Sequence, residues 1–306
     1  MAETKSLAAR FEEQRRPLEY LAYRLLGSLS QADDAVQQAW LRLRGAHLAE
    51  SEDLAGWLTA MVARVCLDAL RRQRSRRARA RSVLSLPDPL VERDPAGAAE
   101  LVSQAEPARA EAHPDTISLA LFVVLDTLAP GERLAFVLHE LYALPAEQIA
   151  PIVGRTSTAV RQLVSRARRR VLGASSTASQ PPLSRARQRA AVDTFLDAAR
   201  RRDFDALLAV LDRDVVLRAD RGAVASPHGC ELRGAGQVAK QALQFARLAE
   251  NARPALVNGA AGVVSWLPGG QPFSVMGFTV ADSKVVELYV FADPARLALL
   301  DLTVLA

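Results

Sequence analysis

The chain has 306 residues, with 39 Lys or Arg against 34 Asp or Glu, and half of its residues are hydrophobic. That length suits two or three small domains with their own cores, and the apolar share excludes a largely disordered chain. No apolar run approaches the roughly 20 residues of a membrane span, Met1 opens no charged-then-apolar leader, and Cys66 and Cys230 stand too far apart for metal-ligand spacing; a cytoplasmic protein without disulfide framework, metal or cofactor is expected.

Charge is unevenly placed. Residues 1–81 hold 15 basic and 10 acidic residues, with seven arginines between Arg71 and Arg81, whereas residues 82–154 hold 3 basic and 11 acidic ones. Positive charge returns in Arg161, Arg166, Arg168, Arg169 and Arg170. Two basic blocks flanking an acidic one suit a protein that touches a polyanion at two places.

Residues 7–74 carry helical periodicity. Residues 28–43, SLSQADDAVQQAWLRL, open on polar capping residues and early acids. Val36, Trp40 and Leu43 form one stripe there, and Asp33, Asp34, Gln37 and Gln38 leave the rest polar. Periodicity alone reads Trp40 either as core or as part of a docking face. The helix from Leu54 turns Leu54, Leu58, Met61, Val62, Val65 and Ala69 inward and Arg64, Leu67, Arg71 and Arg74 outward. Such a basic face, beside the polar loop HLAESEDLAG, suits an unpaired strand held by its phosphates, or is a soluble basic segment.

From 81 to 114, five prolines, alanines and acidic residues indicate a mostly unstructured connector. Residues 115–173 are helical again. Within them a short helix runs from Pro145 to Val153, Gly154 permits a tight turn, and Thr156 or Ser157 caps the next helix. Val160, Leu163, Val164, Ala167 and Val171 recur on its inner face, opposite Thr158, Arg161, Gln162, Ser165 and Arg169. This is helix-turn-helix grammar, with guanidinium, amide and hydroxyl donors suited to base edges and with Arg166, Arg168 and Arg170 placed for phosphates. A flexible linker over 174–183 leads to 184–306, where two amphipathic helices precede β-rich runs at 214–219, 262–267, 273–280 and 284–291. The turns PGGQP and ADS mark the last three as antiparallel hairpins, so this tail is an α+β domain.

These motifs carry a family resemblance. YRLLGSLSQADDAVQQAWLRL resembles regions 2.1–2.2 of the extracytoplasmic-function sigma factors of the sigma-70 class. WLTAMVARVCLDALRRQR resembles their regions 2.3–2.4, and LAPGERLAFVLHELYALPAEQIAPIVGRTSTAVRQLVSRARRRV their region 4. Gln38 departs from the family's usual Glu. The resemblance implies that Asp33, Asp34, Val36, Gln37 and Trp40 bind the clamp helices of RNA polymerase β′. It implies that Trp57, Arg64, Asp68 and Arg71 capture the melted −10 element. Ser157, Thr158, Arg161, Gln162, Ser165, Arg166 and Arg169 are then expected to read the −35 element, and the acidic connector to thread toward the RNA-exit path of the β and β′ subunits.

Residues 184–306 resemble the SnoaL-like, NTF2-type cone that the SigJ-like subfamily carries as a fused extension. That subfamily's motifs DGGGK, NGxPG and NPDKL correspond here to DRGAV at 220–224, NGAAG at 258–262 and DPARL at 293–297. Asp220, Asn258, Gly259, Gly262, Asp293, Pro294 and Arg296 are thus the expected regulatory contacts with the sigma core, altered where two glycines and a lysine are lost. The expected architecture is two all-helical domains followed by an α+β cone, acting as a sigma factor regulated in cis and not as an enzyme. Two alternatives stay open: a ligand-responsive helix-turn-helix regulator, and an isomerase, cyclase or hydrolase whose acid/base group is Asp220, His228 and Glu231. A cone also offers room for a small ligand.

Overall fold

The computed structural model describes residues 2–45, 53–79, 86–95, 117–174, 183–222 and 230–305. Two compact units result: residues 1–81 with 122–176, and residues 82–121 with 177–306.

The first unit is helical. Helices α1 (Ala2–Leu26), α2 (Leu29–Arg44) and α3 (Leu54–Arg79) pack on one another. Ala22, Ala32, Ala35, Ala39 and Ala63 are buried between them, and such small side chains let helix axes approach closely. Gly27, at φ 71°, ends α1, and its N–H bonds the Tyr23 carbonyl at 2.7 Å. Helix α4 (Leu119–Asp126) enters this unit at Phe122, followed by α5 (Pro130–Phe136), α6 (Ala146–Val153) and α7 (Ser157–Ala174). Gly154, at φ 71°, makes the left-handed turn between α6 and α7, and the Thr156 hydroxyl accepts from the Ala159 N–H at 3.2 Å. Val160 and Ala167 are fully buried, as the helix-turn-helix reading requires.

The two helical regions are not separate bodies. Helix α3 is covered on one side by α1 and α2 and on another by α5 and α6. Tyr23 meets Phe122 edge-to-face at 5.1 Å, and the Arg24 guanidinium lies 5.1 Å from the Tyr142 ring centre. This corrects the outward placement of Leu67, which is 2% exposed.

The second unit is α+β. Helices α8 (Arg185–Arg200) and α9 (Phe204–Val210) lead into a seven-stranded sheet. Its strands are β1 (Val91–Arg93), β2 (Leu211–Asp220), β3 (Cys230–Arg233), β4 (Ala252–Val257), β5 (Ala260–Trp266), β6 (Pro272–Ala281) and β7 (Lys284–Phe291). They lie in the order β1-β4-β5-β6-β7-β2-β3, antiparallel except for β2 beside β7. Helices α10 (Ala235–Gln244), α11 (Ala246–Ala249) and α12 (Pro294–Leu297) complete it. The core gathers Phe195, Leu207, Val263, Phe278 and Leu288 between α8, α9 and the sheet.

Strand β1 overturns part of the connector reading. Residues 91–93 pair with β4, Val91 opposite Val257, and Leu86 is 3% exposed, so this stretch is an edge strand of the tail and not unstructured chain. The cause is pairing with a partner more than 160 residues away, which local composition does not reveal. The remainder of the connector, 81–85 and 96–114, lies outside the described residues.

Candidate nucleic-acid interface

Helix α7 presents Thr158, Arg161, Gln162, Ser165, Arg166 and Arg169 to solvent, with Ser157 half-buried at its start. The Arg161 guanidinium donates to Glu147 of α6 at 2.8 Å. The Glu147 carboxyl is held below its usual range by its own backbone N–H first and by Arg161 second. Arg166 and Arg170 straddle the buried Glu132 at 3.3 and 2.8 Å, and Arg168 meets Glu140 at 2.6 Å. Glu132 also accepts the Ala129 N–H at 3.2 Å, so these cations tie α7 to the start of α5. Arg169 makes no ion pair among the described residues, which leaves it the most readily available cation of this face.

On α3, Arg64, Asp68, Arg71, Arg72, Arg74 and Arg76 are exposed, and Trp57 is half-buried. Asp68 and Arg71 pair at 3.3 Å. Arg64 donates to the Pro151 carbonyl of α6 at 3.4 Å, so the α3 basic face abuts the helix-turn-helix. On α2, Asp33, Asp34, Gln37 and Gln38 are exposed, and Gln37 donates to Asp33 at 2.6 Å. Trp40 is half-buried with its ring 4.7 Å from that of Phe11. Val36 is wholly buried, which removes it from the docking face and makes it core. Leu41, 64% exposed beside this face, was not singled out from sequence; its position off the apolar stripe was the available signal.

In the tail unit the three short stretches converge on residues 86–94. Asp220, 4% exposed, accepts the Leu86 N–H at 3.0 Å and the Arg296 guanidinium at 2.9 Å. Arg296 also donates to Asp88 at 2.8 Å and to the Leu86 carbonyl at 2.8 Å. Asn258, at φ 50°, accepts the Leu90 N–H at 3.1 Å, donates to the Ile117 carbonyl at 3.0 Å, and gives its own N–H to the Leu90 carbonyl at 2.8 Å. Gly259, at φ 73°, completes that turn. Asp293 caps α12 through the Ala295 N–H at 3.0 Å, and Pro294 is its first residue. Gly262 has no room for a side chain, because a Cβ there would stand 2.6 Å from the Met276 carbonyl oxygen.

Arg189 of α8 adds a second fastening that sequence reasoning missed. It donates to Asp94 at 2.7 Å and to the carbonyls of Ala255 and Gly262 at 2.9 and 3.0 Å. Asp88 and Asp94 of the connector are therefore matched by Arg296 and Arg189 of the tail. Asp220 and Glu231 do not form an acid/base group: the first is engaged with Arg296, and the second pairs with Arg218 at 3.1 Å and Arg233 at 2.7 Å. His228 lies outside the described residues.

Residues 11–76 match the Sigma-70 region 2 family and residues 118–171 the Sigma-70, region 4 family. The chain is 30% identical over 307 residues to the "Probable ECF RNA polymerase sigma factor SigI" of Mycobacterium tuberculosis, covering 97% of each. It is 33% identical over 301 residues to that organism's "ECF RNA polymerase sigma factor SigJ", covering 94% of this chain and 91% of the relative. The chain belongs to the extracytoplasmic-function sigma factors. The crystal structure of the Mycobacterium tuberculosis sigma factor SigJ superposes on it with a TM-score of 0.68 at 30% identity, covering 96% of this chain and 99% of that one.

This sigma factor thus has helical sigma regions followed by an α+β unit, and it directs promoter-specific transcription initiation. The match to region 2 removes the free-standing helix-turn-helix regulator, which has no use for that domain. No helix of the sigma factor is long and apolar enough to cross a membrane, and no cluster of metal-ligating side chains occurs among the described residues. Its cone encloses a cavity of about 350 Å³ whose lining contains no carboxylate and no histidine among the described residues.

Proposed function

We propose that this sigma factor docks on core RNA polymerase through the α2 face bearing Asp33, Asp34, Gln37 and the rim of Trp40, with Leu41 as an added apolar contact. Trp57, Arg64, Asp68 and Arg71 hold the melted −10 strand. Ser157, Thr158, Arg161, Gln162, Ser165, Arg166 and Arg169 read the −35 duplex. The observation that carries this assignment is the open polar face of α7 on a helix-turn-helix turned by Gly154. Guanidinium and amide groups on such a face match base edges in the major groove, and a stacked or flipped base offsets its own unstacking cost.

The described arrangement is a closed one. Arg64 donates to the Pro151 carbonyl and α3 packs on α5 and α6, so the two exposed DNA faces stand side by side and reach two separate promoter elements together only when the helical unit opens. The tail acts in cis by holding the connector. With residues 86–94 fastened, the chain from Arg79 to Leu86 reaches at most about 25 Å. A fully released connector, from Arg79 to α4, reaches roughly 135 Å. Fastening therefore favours the closed unit, and release favours opening. The cone of the tail receives a small ligand and does no chemistry. Reconstitution tests the main reading. The purified chain with core polymerase yields transcripts from promoters upstream of its own operon, and substitution of Arg161 weakens −35 selectivity. Absence of any specific transcript across those promoters would overturn it.

A further inference from the structure

The cone cavity is apolar but has one cationic feature. Phe195, Leu217, Val263, Met276 and Leu288 line its body, and alanines at 199, 219, 242, 249 and 252 leave the space open. The polar hydroxyls inside, Ser265 and Ser274, satisfy each other at 2.7 Å. Arg221 also lines it, half-buried, with its guanidinium 5.2 Å from the Phe245 ring centre. Phe245 and Phe273 face each other at 6.5 Å at the same part of the lining. Other arginines of this unit, such as Arg189, Arg218 and Arg296, have carboxylate partners; Arg221 has none among the described residues. It stands at the second position of the DRGAV stretch, directly after Asp220, which with Asn258 and Arg296 forms the latch on residues 86–90.

We infer that the cavity binds an organic carboxylate with an apolar body, the body among the phenylalanine, leucine and alanine side chains and the carboxylate on Arg221. The volume of about 350 Å³ is at the small end of ligand pockets, which fits a medium-length acyl chain or a compact aromatic acid. A neutral hydrocarbon would leave the cation without a counter-charge, and a cationic amphiphile would oppose it. A planar guanidinium beside aromatic rings is suited to a carboxylate held by two parallel hydrogen bonds. Among the described residues the lining offers no carboxylate that would repel the ligand's own. The inference rests on the reading of the tail as a ligand-receiving module.

The experiment uses the full chain with decanoate and decan-1-ol as probes of equal length, read by calorimetry and by protection of Cys230, which lines the same cavity. Decanoate is expected to bind about tenfold more tightly than decan-1-ol, the effect of one charge-assisted contact. Arg221→Met should erase that preference while retaining decan-1-ol binding. Ala242→Phe, which fills the cavity, should abolish binding of both and leave the thermal unfolding of the chain intact. Equal affinity for the two probes, persistence of the preference in R221M, or no binding by either probe would overturn the inference. Transcription by the latch variants is read separately, so failure here leaves the cis-regulatory reading independently testable.

Discussion

Replacing Arg296 with Met removes the centre of the latch while keeping an unbranched apolar stem over Phe291, whose ring lies 4.5 Å from the guanidinium. The guanidinium serves Asp88, Asp220 and the Leu86 carbonyl at once. The two carboxylates are 10% and 5% exposed, and Arg296 itself 25%. Removing one partner from a buried ion pair costs about 3–5 kcal/mol, and partial exposure places this one near the lower figure. About 3 kcal/mol is roughly a hundredfold in the opening equilibrium. The loss should appear locally, because residues 86–94 can detach without unfolding the sheet behind them. Hydrogen exchange of the Leu86 and Leu90 amides, both bonded to tail side chains, should accelerate by about that factor while amides of β5 and β6 keep their protection. The pair R296M with Asp88→Asn should be less damaging than the sum of the two, since Asp88 is then no longer a buried charge that has lost Arg296, and Asp220 alone bears that loss. Exchange of Leu86 and Leu90 within about threefold of the parent would refute the latch.

Other outcomes follow from the same geometry. Arg161→Ala should weaken discrimination of the −35 element by about 1–3 kcal/mol, measured by competition between matched and mutated promoters. Arg189→Met takes a guanidinium away from the buried Asp94 and from two carbonyls, and should destabilise the tail by about 3 kcal/mol in denaturant titration. Gly262→Ala forces a Cβ against the Met276 carbonyl and should lower the melting temperature of the tail unit, whereas Gly236→Ala, with open space around it, should not. Burial pushes the Cys66 thiol well above its ordinary range, Arg133 opposing only weakly, so the thiolate is scarce at neutral and mildly alkaline pH. Cys66 should therefore resist thiol reagents until the helical unit unfolds.

The helices of the DNA-facing half were legible because their signals are local. Gly154 in a left-handed conformation, the Thr156 cap and the alternation of Val160, Val164 and Ala167 with Arg161 and Ser165 can all be read within one window. Strands β5, β6 and β7 were legible for the same reason. What escaped was non-local. Strand β1 is three residues, VER, following Pro89 and preceding Pro95, and its partner β4 is far away in sequence. Leu67 shares a face with Arg64 and Arg71, and its burial comes from a helix packed on more than one side, by α1 and α2 and by α5 and α6. Val36 sits on the apolar stripe of α2, and there periodicity was a better guide than family analogy to its place in the core. The tail stretches were expected to meet the sigma core, whereas Asp220, Asn258 and Arg296 hold the connector, and Arg189 reinforces them from a helix without any distinctive motif.

The helical unit must open for the two DNA faces to work together. Glu12 on α1 and Leu172 on α7 are both exposed, so E12C and L172C in a C230S background accept a donor and an acceptor dye while Cys66 stays buried. Energy transfer should be high in the free protein and should fall when core polymerase and promoter DNA are added, and R296M should lower it even before they are added. An unchanged transfer efficiency in a complex that is actively initiating transcripts would contradict the closed-to-open account.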